Sequence, residues 1–157
     1  MAMLNSLFGK GKQQVGDVEF WHGHERAGWL MKQGKRVYQE LAQEVAQFQV
    51  NQRIAFMLSL YFVLKQGKIF WFKSDVITPD SIPRGVIEVN KCLSIKGAED
   101  VINKPFAFEI STTENSMYFV ADKDKEKEDW INSIGRAIVR HSKSMLDNDQ
   151  GDYTNSM

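Results

Sequence analysis

Ser59-Leu60-Tyr61-Phe62-Val63-Leu64-Lys65-Gln66-Gly67-Lys68-Ile69-Phe70-Trp71-Phe72-Lys73 reads as two strands joined by a tight turn. Both arms, Ser59 to Lys65 and Lys68 to Lys73, are rich in aromatic and branched residues, which suit a pleated, half-buried surface. Gln66-Gly67 sits between them, and the glycine supplies the φ freedom that a tight turn needs. Upstream, Ala27 to Gly34 is also strand-like and closes on a glycine. Downstream, a loop with Pro79 and Pro83 leads to Gly85 to Val89 and then Leu93 to Lys96. In the latter, Leu93 and Ile95 are expected to point inward, Ser94 and Lys96 outward. Phe106, Phe108 and Ile110 alternate with Ala107, Glu109 and Ser111, the period-two pattern of a strand with one buried face. Met117 to Ala121 reads as the last strand.

The period then changes. From about Asp124 to Ser142 the apolar residues Trp130, Ile134, Ala137 and Ile138 fall at i, i+4, i+7 and i+8, one stripe of an α-helix. Asp122 is the candidate N-cap. Asp124, Glu126 and Glu128 suit the positive end of the helix dipole, and Arg136, Arg140 and Lys143 the negative end. His141 is expected near that end as a surface residue. Many short strands followed by one closing helix predict a mainly β domain, a small sandwich or barrel plugged by the amphipathic helix.

The chain has 157 residues, room for one ordinary domain. Lys+Arg and Asp+Glu are both 20, so no global field draws it to nucleic acid or membrane. The single cysteine, Cys92, forms no internal disulfide, which fits a reducing, intracellular compartment. The opening Met1 to Gln14 is expected to hold no secretory signal, and Ala2 is read as excluding N-myristoylation. The run Ile54 to Leu64 is too short to span a bilayer.

Residues 1–24 are expected to be a flexible lead-in, 25–144 the domain, and 145–157 a disordered acidic tail. Residues 35–58 interrupt the strand pattern. Val37, Leu41, Val45 and Phe48 are spaced for a helix over about 36–50, and Ile54 to Leu58 form an apolar stretch that must be buried or bind something.

His22 and His24 lack partners at metal-ligand spacing, so they read as a solvated pre-strand segment. No Ser-His-Asp, Cys-His or paired-carboxylate arrangement is visible, and the chain reads as a non-enzyme without cofactor or metal. The aromatics alternate as core residues, which argues against a nucleic-acid stacking platform.

Ala27-Gly28-Trp29-Leu30-Met31-Lys32-Gln33-Gly34 resembles the opening strand of pleckstrin homology (PH) domains. Tyr61-Phe62-Val63-Leu64 and Gly67-Lys68-Ile69-Phe70-Trp71-Phe72 resemble their second and third strands. Trp130 matches the family's helix tryptophan. Pro83-Arg84-Gly85-Val86-Ile87, Asn103-Lys104-Pro105-Phe106-Ala107-Phe108 and Glu126-Lys127-Glu128-Asp129-Trp130-Ile131 are similar to short plant proteins that consist of one PH domain and little else. The resemblance runs from about Val18 to Ser144 and breaks over 35–60.

The resemblance implies a seven-stranded β-sandwich or barrel capped by the C-terminal helix, with an atypical helical insert between the first two strands. It implies no catalysis, and a basic pocket at the open end that grips a phosphoinositide headgroup. Lys32 matches the lysine that ends the first strand. Lys35, Arg36, Arg53 and Lys73 are the other candidate headgroup-binding residues. The family's usual basic run into the second strand is replaced by Leu58-Ser59-Leu60. Each cation near an anionic membrane contributes about 1 kcal/mol, so losing three costs roughly a hundredfold in affinity. The expected function is a peripheral membrane adaptor on endosomal or plasma membrane, with phosphatidylinositol 3-phosphate as the suggested lipid. The alternative is a protein-interaction module that uses the insert as its docking surface.

Overall fold

The computed structural model describes residues 16–34 and 57–153, with side chains as far as Ser144. The strands are β1 (Arg26–Gln33), β2 (Met57–Lys65), β3 (Lys68–Phe72), β4 (Gly85–Glu88), β5 (Cys92–Gly97), β6 (Ala107–Thr112) and β7 (Ser116–Val120). A short helix α1 (Glu99–Ile102) precedes β6, and the long helix α2 (Asp124–Tyr153) ends the described chain. The strands form one antiparallel seven-stranded sheet in the order β4-β3-β2-β1-β7-β6-β5.

The hairpin is as the sequence predicts, with Lys65 paired to Lys68. Both turn residues take positive φ, 48° at Gln66 and 74° at Gly67, because a two-residue hairpin needs a turn whose twist matches the strands.

The sheet wraps around one core. Leu30, Leu60, Phe62, Leu64, Ile69 and Ile87 from β1–β4 share it with Phe108, Ile110 and Phe119 from β6–β7. Phe62 meets Phe119 edge-on at 5.4 Å, and Phe119 stacks on Phe108 at 5.2 Å. The join between the two halves is narrow: only Met31 and Lys32 of β1 pair with Val120 and Phe119 of β7.

Helix α2 packs against β5 and the 3-10 turn Val89–Lys91, and so closes one end of the sheet. Trp130, Ile134 and Ala137 are buried, as their spacing predicts. The Arg26 guanidinium lies 5.6 Å over the Trp130 ring and bonds Asp129. Lys127 ties α2 to α1 through Glu99.

Several expectations are corrected. Leu93 is 67% exposed, because the β5–β6 register shifts between Cys92 and Ser94 and turns Cys92 inward instead. Phe106 lies outside β6 at φ 60°, although it still packs on the core. Glu109 is buried rather than exposed and accepts a hydrogen bond from Ser111. The Lys123 carbonyl receives the first helical bond, from Lys127 N–H, so Asp122 stands one residue before the cap position. The helix runs on past Ser142 to Tyr153, through most of the tail expected to be unstructured. His141 is therefore well inside the helix rather than near its end, and its Nε2 is enclosed.

The lead-in is not loose where it is described. Phe20 is buried on the outer face of the sheet with Val63, Phe70 and Phe72. The buried Lys65 ammonium donates to the carbonyls of Glu19 and His22. His22 Nε2 bonds Glu19, and His24 Nε2 donates to the Phe20 carbonyl. Residues 16–24 are thus a strap across β2 and β3. The helix expected over 36–50 and the apolar residues Ile54 to Phe56 lie outside the described residues.

Candidate functional site

The end of the sheet away from α2 is where β1 finishes and β2 begins. Alternation fixes which side chains line its inner face. On β1 the inward row is Gly28, Leu30 and Lys32; on β2 it is Leu58, Leu60 and Phe62; on β3 it is Ile69 and Trp71. Lys32 thus sits at the mouth, paired with Leu58 on one side and Phe119 on the other.

The Lys32 ammonium is placed 5.2 Å over the Trp71 ring centroid and donates to the Gln33 carbonyl. Trp71 in turn leans on Gly85, its pairing partner on β4. A Cβ at Gly85 would lie 1.9 Å from Trp71 Cζ2, so only glycine leaves room for the ring. Lys73 follows directly on β3 and is exposed. β3 ends at Phe72, opposite Tyr61, so Lys73 lies toward the same end of the sheet as Lys32. Lys35, Arg36 and Arg53 lie outside the described residues.

The three positions that replace the basic run are not equivalent. Leu58 is 44% exposed at the mouth, Ser59 faces outward, and Leu60 is buried in the core. The expected loss of three charges is therefore an overcount: a cation fits the inner mouth at 58 and not at 60.

Sequence reading took Trp71 as a core aromatic and gave Gly85 no role. The available signal was a glycine at the start of a strand, which often marks close approach by another group. Its partner could not be named without the register.

The PH domain family model matches residues 24–139. The chain belongs to the PH domain family. It is 49% identical over 138 residues to pleckstrin homology domain-containing protein 1 of Arabidopsis thaliana, covering 87% of this chain and 83% of that protein. A PH domain-containing protein of Dictyostelium discoideum is 28% identical over 115 residues, 73% of this chain and 21% of that one. Among solved structures, a pleckstrin homology domain determined in solution matches with a TM-score of 0.57 at 20% identity, over 78% of this chain and 91% of that one. The C-terminal PH domain of pleckstrin in complex with D-myo-Ins(1,2,3,5,6)P5 matches with a TM-score of 0.50 at 22% identity, over 72% and 93% of the two chains. PH domains bind phosphoinositides or proteins and are generally non-enzymatic adaptors. No described helix of this PH domain is long and apolar enough to cross a membrane.

Proposed function

We propose that the mouth beside Lys32 binds the inositol phosphate headgroup of a membrane phosphoinositide and holds the protein peripherally on an endosomal or plasma membrane. The observation that carries this reading is Lys32 on the inward row of β1, at the end that α2 leaves uncovered, with the exposed Lys73 one residue beyond β3 toward the same end. Phosphate oxygens accept charge-assisted hydrogen bonds from such cations. The pleckstrin domain solved with an inositol pentakisphosphate is a domain of this fold holding that kind of anion. Phosphatidylinositol 3-phosphate is the proposed lipid, and Lys35, Arg36 and Arg53 are proposed to add charge from the β1–β2 connection.

Co-sedimentation with vesicles across a headgroup panel, at low and high salt, tests this. Binding is expected to weaken with salt because exposed charges are screened. Lys32→Ala is expected to lower affinity by about fivefold or more, the worth of one cation near an anionic surface. Binding to no headgroup at either salt overturns the reading.

The protein-docking alternative is favoured by one observation: the exposed Leu58 stands opposite Lys32, where a cation would serve a lipid. In that case Leu58→Asp abolishes partner capture, because a charge in an apolar contact is costly, and Lys32→Ala leaves it intact.

A further inference from the structure

We infer that the Gly85–Trp71–Lys32 stack is a positioning device for the headgroup site: Gly85 seats the Trp71 indole, and the indole face holds the Lys32 ammonium at the mouth. The inference rests on the headgroup reading above and assigns a role to two residues that carry no formal charge.

The argument starts from the lysine. A free lysine side chain has many rotamers, and fixing one on binding opposes affinity. Lys32 is not left to sample them. Its ammonium lies 5.2 Å from the Trp71 ring centroid, within the range at which a ring quadrupole attracts a cation. The strongest ring for this is an indole.

The ring is itself constrained. Trp71 is partly buried against the main core and meets Phe62 at 5.9 Å. On the β4 side it occupies space that any side chain at position 85 would need, with the Cβ position 1.9 Å from Cζ2. Position 85 is glycine although its φ imposes no such choice: only Gly16, Gly23 and Gly67 among the described glycines take positive φ. The indole, not the backbone, is what a side chain at position 85 would strike. The arrangement draws on β4, β3 and β1 and ends on Lys32 at the mouth.

A fixed ammonium meets a phosphate with its rotamer already chosen. Removing the ring leaves the charge and its bond to the Gln33 carbonyl in place but takes away the face that restrains the ammonium, so the affinity falls while the number of cations is unchanged. A purely structural tryptophan would instead move stability and leave the contribution of Lys32 intact.

The experiment measures binding of soluble inositol phosphates and phosphoinositide vesicles to the full chain and to Trp71→Leu, Trp71→Phe, Lys32→Ala and the Trp71→Leu/Lys32→Ala pair. Melting temperature and the proton shifts of the Lys32 ε-methylene are followed alongside. Trp71→Leu is expected to weaken binding about threefold or more, with Trp71→Phe in between. The loss caused by Lys32→Ala is expected to shrink in the Trp71→Leu background, as coupled residues require. The upfield ring-current shift of the Lys32 ε-protons should vanish in Trp71→Leu. Gly85→Ala should displace the ring and mimic Trp71→Leu in binding, and adding Trp71→Leu to it should cause no further loss. Should Gly85→Ala fail to fold, the Trp71 series decides alone.

Additive effects of Trp71→Leu and Lys32→Ala, or binding unchanged in Trp71→Leu while Lys32→Ala still weakens it, overturn the positioning role and leave the headgroup reading standing. A full chain that binds neither inositol phosphates nor vesicles overturns the headgroup reading, and the positioning role falls with it.

Discussion

Trp130 has two kinds of partner to lose on truncation: the core, in which it is 2% exposed, and the Arg26 guanidinium over its ring at 5.6 Å. Trp130→Ala is expected to cost about 3–5 kcal/mol through lost transfer energy and the cavity left behind. Total stability of a domain is typically only about 5–15 kcal/mol, so denaturant unfolding should show a large drop in midpoint. An unchanged midpoint would remove α2 from its role as the closing element. Cys92 behaves differently. Burial pushes its thiol up to about 11, so it is an inert core residue in the folded chain. Both burials follow from sequence in unequal measure. Trp130 was legible because helical spacing places it with Ile134 and Ala137. Cys92, as a lone cysteine beside Leu93, also reads as packed; the exposure of Leu93 was not legible, because an irregularity between Cys92 and Ser94 turns it outward, and that is set by pairing with β6.

Between elements, the link from α1 to α2 has a defined pH window. The hydrogen bond from Lys127 holds the Glu99 carboxyl below its ordinary value, and the same bond holds Lys127 above its own. A lowered carboxylate stabilises the fold above its unfolded value and stops doing so as pH falls through the folded one. The raised lysine contributes below its unfolded value and is lost as pH rises through the folded one. The difference in melting temperature between the native chain and Glu99→Gln should therefore be flat from about pH 5 to 9 and shrink in acid below about pH 4. A difference that grows in acid contradicts the pairing. The strap of residues 16–24 makes a second prediction. Phe20→Ala should cost about 3 kcal/mol, read calorimetrically as a fall in melting temperature of roughly 10 °C. A loss near zero would mean that the outer face does not need its cover. The strap was missed because Gly9, Gly11, Gly16 and the two histidines suggested an open lead-in. What holds it, the Lys65 ammonium on two backbone carbonyls, is a pairing between segments far apart in sequence. The strands and the helix, by contrast, announce themselves through local period.

At the scale of the whole molecule, the proposed headgroup site makes affinity for an anionic surface a question of which inward positions at the mouth carry charge. Leu58→Arg should strengthen vesicle binding about fivefold, since it adds one cation beside Lys32. Leu60→Arg should unfold the domain instead, because Leu60 belongs to the core. Equal gains from the two substitutions, with both proteins folded, would refute the face assignment. The sequence named Lys32 through family resemblance, and the register joined Trp71 to Gly85, which no local pattern could. The strap also sets where residue 16 sits. Gly16 lies beside Lys68, at the turn where β2 becomes β3, the pole remote from Lys32. A fluorescent reporter or a tethered enzyme fused ahead of residue 16 would start from that pole. With the mouth on a bilayer, its point of attachment would stand off from the lipid by about the height of the sheet, roughly 30 Å for a strand of nine residues.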